Sequence, residues 1–200
     1  DREEQAWRPH LRLAGQGAPA DASRIHPGNA PNVGVAGRKR RPPLDAGGVH
    51  AAILAAAGLH RLGANQHITC YLDAPAWLPA AGQGAIAIQV RDDDERIRTL
   101  AASLNDLPTM RAVRAERAFL QALEGGCQVP IGALAVPTDG GALLHGMIAD
   151  VSGTRVVRGT ITLDVAEPEL SGVRLANQLR GEGASEILEG LRRAEHLPAP

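Results

Sequence analysis

Aromatic side chains are scarce in this chain: two Trp, one Tyr and one Phe make up 2% of its 200 residues. With few large rings available, any core has to be assembled from Ala, Val, Leu and Ile. Cysteine is equally scarce. Cys70 and Cys127 lie far apart and neither belongs to a Cys-x-x-Cys pair, which argues against a disulfide framework and for a reducing compartment, the cytoplasm. No apolar run reaches the ~18 to 20 residues that cross a bilayer, and Asp1 to Pro9 lacks the apolar centre of a signal peptide, so no membrane partner is expected. Excess charge is missing too. A formal net charge of -1 gives no general attraction to nucleic acid or anionic lipid. The one basic cluster, Arg38-Lys39-Arg40-Arg41, has no interleaved aromatics and reads as a solvated loop. Seven scattered histidines without ligand spacing predict no metal site.

What the chain does have is a 44% hydrophobic content, enough to bury a core in one large domain or two small ones. Residues 1–48, rich in Ala, Gly, Pro and Arg, hold no apolar period through a full strand or two helical turns, and read as poorly ordered loop. From Val49 the texture changes. Residues 49–54 predict a short buried strand and residues 55–62 a helical turn or two, stopped by Gly63. Ile68-Thr69-Cys70-Tyr71-Leu72 reads as a half-buried strand. Ala85 to Val90 also alternates as a strand does, directly after Gly82-Gln83-Gly84. The acidic run Asp92 to Glu95 suits a helix N-terminus and predicts a helix to about Leu104; its carboxylates read as helix-start and solvent groups, not a catalytic pair.

The clearest helix runs from Thr109 to Leu123, with Ala112, Ala115, Phe119 and Ala122 at helical spacing and Arg111, Arg114, Arg117 and Gln121 on polar faces. Three strands follow, at 131–136, 142–148 and 156–163, joined by turns at Asp139-Gly140-Gly141 and Ser152-Gly153 as a meander. In the last strand Val157, Ile161 and Leu163 share one face. The helix of 109–123 and two more, at 169–180 and 185–194, are expected to cover that face.

One residue stands out chemically. Cys127 follows a Gly-Gly helix stop in Glu124-Gly125-Gly126-Cys127-Gln128-Val129-Pro130-Ile131-Gly132, where glycines free the backbone and the proline stiffens the exit. From composition alone it reads first as a small buried turn residue; a hydrolytic nucleophile would need a histidine within hydrogen-bond reach, and the scattered histidines single out none. Gly82-Gln83-Gly84 alone is a weak signal, because it lacks the third glycine of a dinucleotide loop.

Four blocks in chain order resemble the porphobilinogen deaminase family: AAILAAAGLHRLG at 51–63, LPAAGQGAIAIQ at 78–89, LNDLPT at 104–109 with AERA at 115–118, and LEGGCQVPIG at 123–132. The last is similar to that family's cofactor-attachment motif. The resemblance implies a cytoplasmic monomeric transferase of porphyrin, tetrapyrrole and heme biosynthesis. It would condense four porphobilinogen molecules, its small-molecule substrate, head to tail into hydroxymethylbilane with release of ammonia. It also implies a dipyrromethane cofactor bound to Cys127 through a thioether. A thiolate suits that task, being a good nucleophile towards the methylene carbon left when porphobilinogen loses ammonia. Each pyrrole carries an acetate and a propionate, which arginine forks pair with in fixed geometry. Arg61 matches a position of this kind, and Gly58 and Gln83 match positions lining the cofactor cleft.

By the same resemblance, the family's catalytic carboxylate lies N-terminal to the matched blocks, so no catalytic residue is assigned. Of a substrate-binding stretch upstream only Asn32-Val33-Gly34 has a counterpart. The expected fold is α/β in two parts: residues 49–106 as a remnant of a periplasmic-binding-protein-like cleft domain and its crossover, and residues 107–200 as an α+β domain with a three-stranded antiparallel sheet covered by helices. Residues 1–48 diverge. The alternative is a non-catalytic remnant of the family that acts only as a folded or partner-binding domain.

Overall fold

The computed structural model describes residues 11–14, 52–123 and 129–195. A small sheet comes first: β1 (Leu11–Ala14) lies between β2 (Ala52–Ala55) and β3 (Cys70–Leu72), antiparallel to both. Helix α1 (Ala56–Arg61) follows β2 without a break. Gly63 at φ 64° closes it, with Ala64 N–H donating to the Leu59 carbonyl at 2.9 Å. Strand β1 is a correction, because residues 1–48 read as loop. Four residues are too few to show a period, and the ladder that makes them a strand comes from segments far along the chain.

Helix α2 (Glu95–Ala102) begins where the acidic run predicts, the Asp94 side chain accepting Ile97 N–H at 3.0 Å as its cap. The preceding segment is a second correction. Residues 85–90 join no sheet, and Ile86 and Ile88 are 93% and 55% exposed. Alternation marks an extended segment, but a strand also needs a neighbour for its amides and carbonyls, and none of the described residues supplies one.

The larger unit matches the expected α+β order. Helix α3 (Leu107–Ala122) starts two residues before the expected Thr109, because Asp106 accepts Thr109 N–H at 2.8 Å and Pro108 suits the first turn. Strands β4 (Ile131–Thr138), β5 (Gly141–Ala149) and β6 (Val156–Thr162) form the antiparallel meander, and α4 (Pro168–Leu179) and α5 (Ser185–Glu195) complete it. Between α4 and α5 the chain widens into a π-type turn, Arg180–Ala184, at Gly183.

Phe119, Leu123, Leu144, Ile148, Leu175 and Leu179 centre the core and are fully buried. The scarcity of rings shapes this packing. Phe119 is seated over Gly146, where an added Cβ would stand 2.6 Å from its ring, and α4 crosses α3 at Gly172, where a Cβ would meet the Ala115 carbonyl oxygen at 2.2 Å. Two absent side chains thus let helix α3 approach both the sheet and α4 closely.

Candidate cofactor site

The second face of the sheet is partly covered as well, by a strap of residues 75–85 that arrives from the small sheet. Strand β4 is the outer strand of the order β4-β5-β6, so every second amide on it points away from β5 and needs another partner. Ala133 N–H donates to the Pro79 carbonyl at 3.0 Å. Two residues on, Ala135 N–H donates to Glu116 Oε1 at 2.9 Å. The next outward position is Pro137, which has no N–H to satisfy. The strap lies close because residue 132 is glycine: a Cβ there would stand 2.9 Å from Leu78 Cβ.

Past Pro79 the strap turns through Gly82-Gln83-Gly84. Gly82 (φ 74°) and Gly84 (φ 89°) take left-handed conformations that L side chains resist. Gln83 N–H donates to the Ala80 carbonyl at 3.0 Å and Ala80 N–H to Gln83 Oε1 at 3.3 Å, while Gly82 N–H donates to Glu116 Oε2 at 2.7 Å. Glu116 therefore uses one oxygen on the strap and the other on β4. It is 1% exposed. Burial pushes its carboxyl above the usual range, and the amides of Ala135 and Gly82, which favour the charged form, pull against that.

The expected site residues fall as follows. Cys127 lies outside the described residues, in the segment between Leu123 and Val129. Arg61 ends α1 and is exposed, and among the described residues no hydrogen bond or ion pair engages its side chain. Gly58 precedes it by three residues on the same helix face, and a Cβ there would meet nothing within 4 Å. Gln83 is exposed at the strap turn. No hydrogen bond joins Arg61 to Gln83. Glu116 went unassigned in sequence, although a signal was present: it interrupts the small and apolar stripe of Ala112, Ala115 and Phe119 with a carboxylate, and a charge on a buried face needs partners. Among the described residues no cluster of His, Cys, Asp or Glu could hold a metal ion, and no helix is long and apolar enough to cross a membrane.

The fold and the strap define a two-part α/β chain in which an α+β unit, whose sheet follows a Cys-bearing segment, is stitched to a preceding segment by one backbone hydrogen bond and by the side chains of Glu116 and Arg158. Two family models match these parts in order: "Porphobilinogen deaminase, dipyromethane cofactor binding domain" over residues 35–99 and "Porphobilinogen deaminase, C-terminal domain" over residues 110–181. Together they span more than half of the chain, which belongs to the porphobilinogen deaminase family. The first match begins at Val35, upstream of the four blocks. Arg61, Gly58 and Gln83 fall within it, and Cys127 and Glu116 within the second. Among relatives named porphobilinogen deaminase, that of Moorella thermoacetica is 44% identical over 153 residues, 76% of this chain and 49% of the relative. That of Syntrophobacter fumaroxidans is 46% identical over 151 residues, 76% and 49% respectively, and that of Synechococcus elongatus 45% over 150 residues, 75% and 47%. The chain spans about half the length of the curated relatives it matches.

Proposed function

We propose that this chain is the cofactor-holding part of a hydroxymethylbilane synthase, a cytoplasmic, monomeric transferase that condenses four porphobilinogen units head to tail with loss of ammonia. The observation that carries this reading is the ordered pair of family matches, with the Cys127 motif inside the second. Residues 49–106 would then be the remainder of a periplasmic-binding-protein-like cleft domain.

The cofactor this implies is dipyrromethane, and the residues present suit it. Arg61 offers an exposed guanidinium that no described residue neutralises, beside an open helix face at Gly58, which fits a ligand carrying several carboxylates. Bound dipyrromethane supplies the primer from which the pyrrole chain extends. The protein's own tasks are three. Cys127, as thiolate, bonds to the methylene carbon that porphobilinogen's amine leaves, and the resulting thioether resists hydrolysis. Arg61 pairs with acetate or propionate and fixes orientation. Gln83, on a turn held at both ends, presents a polar edge to the cleft.

The intact mass of the purified chain, before and after incubation with porphobilinogen or hydroxymethylbilane, tests this. A dipyrrole-sized increase that disappears in Cys127→Ser is expected. No increase in either protein would reject cofactor loading by this chain and leave a non-catalytic member of the family.

A further inference from the structure

We propose that Glu116 is a positioning residue: by accepting the Gly82 and Ala135 amides together, it locks the Gly82-Gln83-Gly84 turn onto the outer edge of β4 and so sets where Gln83 stands for the cofactor. The consequence for the cofactor rests on the functional reading above; the lock itself does not.

Three observations carry it. First, Glu116 joins segments that are 34 and 19 residues away from it, so its bonds are tertiary and do not serve its own helix. Second, the two amides it accepts have no other natural acceptor: Ala135 N–H points off the sheet edge, and Gly82 N–H heads a turn whose later amides, those of Gln83 and Ala85, are already closed onto Ala80 and Gly82 carbonyls at 3.0 and 3.2 Å. Third, a carboxyl this buried is costly to desolvate, and among the described residues no cation is paired with it; the two amides are what hold it there.

Residue chemistry explains why this side chain is needed. Two donors converge from different directions, and a carboxylate offers two acceptor oxygens. Glutamine has one, and its amide would turn a donor towards the other N–H. Aspartate is one methylene shorter. Leucine fills the space but accepts nothing. With Pro79 supplying the adjacent rung on Ala133, the strap is fixed to β4 by two successive contacts, one from its own backbone and one relayed through α3. Losing Glu116 frees the half that carries Gln83.

Amide hydrogen exchange on the full chain tests the lock. In Glu116→Leu, exchange at Gly82, Gln83 and Ala85 should speed at least tenfold after normalisation to Leu144 and Ile148 in β5, with Glu116→Gln intermediate. Leu179→Ala, which destabilises the core without touching the strap, should show no such preference. Unchanged normalised rates in Glu116→Leu would overturn the proposal. If that variant does not fold, Glu116→Gln decides: faster normalised exchange at Gly82 or Ala135 supports the lock, and no change rejects it. The cofactor arm uses the mass assay. Where the unaltered chain loads dipyrromethane, Glu116→Leu should load at least tenfold more slowly while Leu179→Ala loads at the normal rate, and equal slowing of both would overturn the positioning role. Where the unaltered chain gains no mass, the deaminase reading fails and exchange alone judges Glu116.

Discussion

Arg158 Nη1 lies 2.9 Å from the carbonyl oxygen of Ala76, and the same nitrogen reaches the Pro75 carbonyl at 3.2 Å. A guanidinium on β6 thereby holds the entry of the strap, while Pro79 and Glu116 hold its middle and its turn against β4. The strap is thus anchored across the width of the sheet's second face. Replacing Arg158 with Ala should cost about 1 kcal/mol or less in global stability, the usual net worth of exposed hydrogen bonds. It should speed proteolytic cleavage near residues 73–78 more than that figure explains. Limited proteolysis alongside urea denaturation checks both.

Gly172 and Gly190 should respond oppositely to alanine. At Gly172 the new Cβ would press on the Ala115 carbonyl and on Phe119 N–H, both backbone of α3, so the helices must separate at a cost of about 2 to 3 kcal/mol. At Gly190, exposed on α5 with open space around it, alanine should stabilise by about 0.5 to 1 kcal/mol through backbone entropy. Denaturation midpoints of the two variants read this directly.

The pH dependence of stability should have two opposing components in the mildly acid range. Burial raises the Glu116 carboxyl above its ordinary 4.5. Between that value and the raised one the folded state keeps a proton that the unfolded state has released, so stability falls as pH rises through this window. His145 on β5 is lowered from 6.5 by burial; there the unfolded state binds the extra proton, so stability rises with pH up to about 6.5. Urea titrations between about pH 4.5 and 7 should lose the first trend in Glu116→Gln and the second in His145→Gln. A titration whose slope neither variant alters would contradict the assignment.

Arg61→Ala should separate binding from folding. No described residue pairs with its side chain, so the thermal midpoint should hold within the error of measurement. Dipyrromethane loading should fall tenfold or more, the scale of one lost charge-assisted pair. Equal loading by both proteins would remove Arg61 from the site.

Local patterns carried much of this fold. The stripe of α3, the acidic start of α2 and the meander with its Asp139-Gly140-Gly141 turn were all legible, because period, caps and turn residues act over a few positions. Residues 85–90 show the limit of that logic: Ile86 and Ile88 alternate as in a strand, yet pairing is decided by whether a neighbour stands alongside. Strand β1 fails in the opposite sense, having partners but almost no pattern. The site divides the same way. The motif around Cys127 is contiguous and readable as a string, whereas Glu116 acts on Gly82 and Ala135, and nothing in the sequence says that these three meet.

The sequence by itself determined the family, through motifs whose residues are adjacent in the chain, and the order of elements in the α+β unit, through periodicity and capping. The tertiary structure alone decided how the strap sits. Strand β4 is an edge whose outward amides at Ala133 and Ala135 must find acceptors, and only chain folding over long separations brings the Pro79 carbonyl and the Glu116 carboxylate to them.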